Sequence, residues 1–139
     1  MNTINKRFIF KRDKQREKQA IESIKSLLAS EDSKNMNEAE IMALILETIA
    51  EAHRAEPRQD NDEDSQELRE FSSVVNHYAK QFREQGAIII KNGGKDLNSC
   101  IVTLNKIRLL MKNEAGDWMD NRMSLFINGL TIAEERREK

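Results

Sequence analysis

No glycine occurs before Gly86, and Pro57 is the only proline in the chain. Glycine reaches positive φ without a steric penalty, so tight turns have few candidates in the first 85 residues. That favours helices over a many-stranded sheet. The other explicit breaks are Gly86, the Gly93-Gly94 pair and Gly116. Gly129 falls inside a periodic stretch and predicts close packing instead of a break. The expected fold class is mainly α.

Apolar spacing places the helices. From Asp13 to Leu28, residues Ala20, Ile21, Ile24, Leu27 and Leu28 share one helical face. Asn37-Glu38-Ala39-Glu40 resembles a capping box, with Asn37 as the cap and Glu40 three positions on. It opens a helix to about Ala52 that is apolar on most sides, through Ile41, Met42, Leu44, Ile45, Leu46 and Ile49. Such a helix needs more than one neighbour. Leu68, Phe71, Val75, Tyr78 and Phe82 form a seam that stops at Gly86. A helix from Asp96 to about Lys112 buries Leu97, Ile101, Leu104, Ile107 and Met111. The last helix, Asp117 to about Glu134, aligns Met119, Met123, Phe126 and Leu130. Arg7 to Lys11 alternates weakly and reads as a short strand, whereas Ala87 to Ile90 fits a strand or a helix extension equally.

Charge is segregated although the net is −1. Residues 1–30 hold eight basic and three acidic side chains, residues 31–70 four basic and thirteen acidic, and residues 71–139 eleven basic and eight acidic. Glu56 to Ser65 has no apolar residue and reads as a linker, dividing the chain into residues 1–55 and 66–139. The longest apolar run, Ile41 to Leu46, is far short of the roughly 20 residues that span a bilayer. The N-terminus does not resemble a signal peptide, so the expected location is the cytoplasm, with no membrane partner.

Chemistry-bearing motifs are sparse. His53 follows Glu51 at a helix end and reads as a solvated residue or a C-terminal cap; His77 reads as a half-buried helix residue. No metal-binding spacing joins them. Cys100, the only cysteine, excludes an intramolecular disulfide and reads as a small buried hydrophobe. Asn92-Gly93-Gly94-Lys95 lacks the full phosphate-loop pattern, and Asp60 to Asp64 lacks the glycine of a calcium loop. No catalytic residue, metal ligand or cofactor is expected, and no enzyme.

The order of residues 6–54, a short basic strand followed by a helix, a turn and a very apolar helix, resembles the ribbon-helix-helix DNA-binding family. In that family two chains pair their strands into a ribbon that enters the major groove, and the second helices pack across the dimer axis. The resemblance implies a homodimer, or a higher homo-oligomer, bound to double-stranded DNA. If Phe8 and Phe10 face the dimer core, Arg7, Ile9 and Lys11 face the groove. It also places Asn37, at the start of the second helix, near the phosphate backbone.

The expectation is therefore a ribbon-helix-helix-like module at 1–55, an acidic linker at 56–65, and a helical domain at 66–139 for oligomerisation or partner binding. Its function would be sequence-specific DNA binding, as a bacterial, phage or plasmid repressor or an accessory factor in partition or mobilisation. The partner-binding residues would be Leu68, Phe71, Val75, Tyr78 and Phe82 on the seam, with Met119, Met123, Phe126 and Leu130 on the last helix. The rival reading is a helical interaction adaptor or antitoxin-like binder that does not touch nucleic acid.

Overall fold

The computed structural model describes residues 14–53, 63–85 and 95–137. Six helices and no strand occur among them: α1 Lys14–Ala29, α2 Glu31–Lys34, α3 Glu38–Ala52, α4 Glu63–Gln85, α5 Leu97–Ala115 and α6 Asp117–Arg137. The expected strand at Arg7 to Lys11 and the ambiguous Ala87 to Ile90 lie outside the described residues. Helix α4 starts at Glu63, so the last residues of the expected linker are helical.

The turns from α1 to α3 need no glycine. Ser30 ends α1, its N–H and its hydroxyl both donating to the Leu27 carbonyl. The same hydroxyl oxygen accepts the Ser33 N–H and caps the one-turn α2. Two residues after α2 ends at its cap Asn35, Asn37 starts α3 with the expected capping box. Its Oδ1 accepts the Glu40 N–H at 2.8 Å, and its own N–H donates to Glu40 Oε1 at 2.9 Å. Asp96 caps α5 by accepting from the N–H and hydroxyl of Ser99. Gly116 closes α5 at φ +100°, the one positive φ among the described residues, donating its N–H to the Lys112 carbonyl.

Helix α3 pairs with α4, α5 pairs with α6, and α1 bridges the pairs by packing on both α3 and α6. Ile41, Met42, Ile45, Leu46 and Ile49 are all fully buried. Their cover comes from helices of the same chain, α4 and α1 foremost. A helix apolar on most sides needs several neighbours, and here one chain supplies them. The division expected at 56–65 separates helices that share this single core. Gly129 makes the predicted close contact, since a Cβ there would stand 3.0 Å from Ile21 Cδ1. No described helix is long and apolar enough to cross a membrane.

Candidate functional site

Of the residues expected at DNA, Arg7, Ile9 and Lys11 lie outside the described residues. Asn37 is described and exposed, but the capping box engages its Oδ1 and its N–H. Glu38 and Glu40 add two carboxylates to the same helical turn, which opposes the favourable effect of the helix dipole on a phosphate.

The residues expected to meet a partner are instead turned inward. Phe71, Val75, Tyr78 and Phe82 on α4, and Met119, Met123, Phe126 and Leu130 on α6, are buried in the chain's own core; Leu68 is half-buried. A seam pattern states that a face is covered. Here the cover is intramolecular.

His53 also departs from expectation. It occupies the C-cap position of α3, as one reading had it, but it is only 3% exposed. Its Nδ1 lies 2.8 Å from the Ile49 carbonyl, which can only accept, so Nδ1 carries the proton. Nε2 faces Glu17 Oε2 of α1 at 3.7 Å. The ring packs edge-on against Phe71 of α4 and Phe126 of α6, at centroid distances of 4.9 and 5.8 Å. Beside it, Arg122 of α6 reaches Glu67 of α4 at 3.9 Å and lies 5.8 Å from the Phe71 centroid. The Ser72 hydroxyl donates to the Ala50 carbonyl near the end of α3.

Glu17, His53, Glu67 and Arg122 thus form a buried polar junction where four helices meet. Charged groups in such a setting are costly to leave unmatched, and these contacts join α1 to the end of α3 and α4 to α6. These are acid–base residue types, but the cluster is closed to a substrate in this conformation. No group of three or more His, Cys, Asp or Glu among the described residues is arranged to hold a metal. The sequence carried a signal: Glu17, Glu67 and Arg122 each lie three or four positions from a buried apolar residue, Ala20, Phe71 and Phe126 respectively.

His77 is exposed, not half-buried, and its Nε2 pairs with Gln81 at 2.9 Å. Cys100 is fully buried, as a small hydrophobe should be. The Tyr78 hydroxyl donates to Glu114 across α4 and α5. Burial first, and that hydrogen bond second, push its ionisation far above the ordinary phenol range.

Two surface features remain. An open groove of about 480 Å³ runs between α1 and α3, lined among others by Arg16, Gln19, Leu44, Glu47 and Glu51. Its charges are engaged: Arg16 donates to the Glu51 carbonyl, and Arg83 binds Glu47 at 2.7 and 3.1 Å. On the α5–α6 pair, four large hydrophobic residues point outward. Val102 and Leu109 of α5 are 55% and 50% exposed; Leu125 and Ile132 of α6 are 38% and 48% exposed. Each pair is seven residues apart, two helical turns, and therefore on one face of its helix. Their seven-residue spacing is visible in the sequence, beside the core seams of the same two helices.

No protein-family model, no curated protein and no solved structure matches the chain. Function therefore has to come from the geometry.

Proposed function

We propose that the chain is a helical protein-interaction module, closed around its own core and binding another protein through the exposed α5–α6 faces. The observation that carries this reading is the outward placement of Val102, Leu109, Leu125 and Ile132 at two-turn spacing. Single exposed hydrophobic residues are ordinary; a repeated pair on one helix face is how a helix presents anchors to a partner. The test is co-purification from the cells that make the protein, comparing the parent with a variant carrying Gln at all four positions. A partner lost with the variant, while its circular dichroism and melting stay unchanged, supports the module. An identical set of bound proteins for both rejects it.

A second reading rests on the charge segregation, which concentrates a net +5 in residues 1–30. DNA binding through Arg7 and Lys11, with Ile9 beside them and Asn37 at the start of α3 as a contact outside the arm, remains the proposal. Cationic side chains displace counterions from the duplex, so such binding weakens steeply with salt. Fluorescence anisotropy on a selected duplex at fixed salt tests it. Arg7→Ala with Lys11→Ala should weaken binding at least about tenfold, roughly 1.4 kcal/mol. Arg136→Ala with Arg137→Ala should cost less than about threefold. Equal effects from both pairs, or no binding, reject this reading.

A further inference from the structure

The outward face of α5 has a charge character as well as an apolar one. Asn98, Val102, Lys106, Leu109, Lys112 and Asn113 are exposed along it, while Leu97, Cys100, Leu104, Ile107 and Met111 point into the core. No acidic residue occurs from Leu97 to Met111, nor from Asn121 to Ala133 on the neighbouring helix, in a chain with 24 Asp and Glu. Three of the carboxylates that flank these stretches, Asp96, Glu114 and Asp120, are already engaged, Asp96 as the cap that accepts from Ser99. Glu114 accepts the Tyr78 hydroxyl, and Asp120 accepts from Arg108 at 2.5 Å. Lys106 and Lys112 have no ion pair among the described residues.

We infer that this face of α5 docks an acidic amphipathic helix of a partner protein, an inference that rests on the interaction-module reading above. Val102 and Leu109 stand about 10.5 Å apart along the axis at 1.5 Å per residue, a spacing that two apolar residues one heptad apart on a docked helix reproduce. Lys106 lies between them and Lys112 beyond, where flanking Asp or Glu of the incoming helix would meet both ammonium groups.

Charge decides against the other occupants. A second copy packed face to face would bring four ammonium groups together, and like charges at an interface are strongly disfavoured. The apolar area is also small: two half-exposed side chains fall far below the roughly 800 Å² per partner of a stable interface. A weak, electrostatically steered contact with an oppositely charged helix fits that area. A lipid surface would require a broad apolar sector with aromatic residues facing out, and the broad apolar sector of α5 faces the core.

The experiment uses the full chain and a fluorescent three-heptad peptide with Leu at heptad spacing and Glu at the flanking positions. A second peptide carries Lys in place of each Glu. The acidic peptide should bind with an affinity that falls as salt rises, and the basic one should not bind. Val102→Gln with Leu109→Gln should weaken the acidic peptide at least about tenfold. Lys106→Glu with Lys112→Glu should abolish its binding and create binding of the basic peptide, a reversal that a merely unfolded variant cannot produce. Failure of the acidic peptide up to about millimolar concentration overturns the inference. So does binding of phosphatidylserine vesicles or duplex DNA that the Lys106→Glu, Lys112→Glu variant loses. If the peptide fails yet Leu125→Gln with Ile132→Gln still removes a co-purified partner, the interaction module stands and only the assignment to α5 falls. If neither has an effect, both fall.

Discussion

At Gly116, φ of +100° combines with ψ of 177°, a region that a side chain makes costly to enter. Space is not the constraint, because nothing lies within 4 Å of where a Cβ would stand. Gly116→Ala should therefore lower stability by about 1–3 kcal/mol through backbone strain alone, read as a shift in the urea midpoint. Gly129 is the opposite case, an ordinary helical backbone with a neighbour 3.0 Å from the virtual Cβ. Alanine gains up to about 1 kcal/mol of helix propensity there but must displace Ile21 Cδ1. Ile21→Val removes that methyl, so the two substitutions should couple favourably by at least about 0.5 kcal/mol in a double-mutant cycle. The two histidines separate as cleanly. His53→Ala, at a buried junction with a carbonyl contact and two ring contacts, should cost at least about 2 kcal/mol. His77→Ala, on the surface, should stay within about 0.5 kcal/mol.

Helix α5 illustrates the element scale. Its cap, Asp96, accepts from the hydroxyl of Ser99 at 2.7 Å and from its N–H at 3.2 Å. Those side-chain and backbone hydrogen bonds hold the carboxyl below its ordinary pKa of 3.8. A depressed folded-state pKa stabilises the fold above the ordinary value, and that stabilisation is lost as pH falls through the depressed one. Asp96 is exposed, so solvent screens it, and the general cost of losing a cap sets the scale. Asp96→Ala should cost about 1 kcal/mol at neutral pH. The difference from the parent should shrink as pH falls below about 4, measured by urea unfolding across pH 2 to 7. The helices themselves were legible: Asn37 with Glu40, Asp96 and Gly116 are local signals, and the observed ends lie close to those expected from them. The one-turn α2 was not foreseen. Four residues carry no periodicity, and only the Ser30 cap announces it.

For the whole molecule, the shared core changes what dissection should do. The family resemblance implies a dimeric module at residues 1–55, on which a fragment of residues 1–56 would fold as a dimer. With α3 packed on α4, that fragment loses the cover of Ile41 to Ile49 contributed by Phe71, Val75 and their neighbours. It should therefore lack a cooperative thermal transition, whereas the full chain should melt cooperatively. The melting temperature of the full chain should not rise with protein concentration, because mass action stabilises only states that associate. A folded 1–56 dimer, detected by sedimentation and a cooperative melt, would support the ribbon-helix-helix reading of that module.

What the sequence determined by itself is local: where helices start and stop, and which faces are apolar. Caps, breaks and 3.6-residue periodicity act over a few residues, so Asn37, Gly116 and the seam from Leu68 to Phe82 carry that information directly. Only the tertiary structure decided what covers each face. An apolar stripe records that water is excluded, and the driving force is non-directional, so it does not distinguish a neighbour in the same chain from one in another. The burial of His53 against Glu17, Phe71 and Phe126 belongs to the same class. It requires residues from four helices to arrive together, and no window of sequence holds them all.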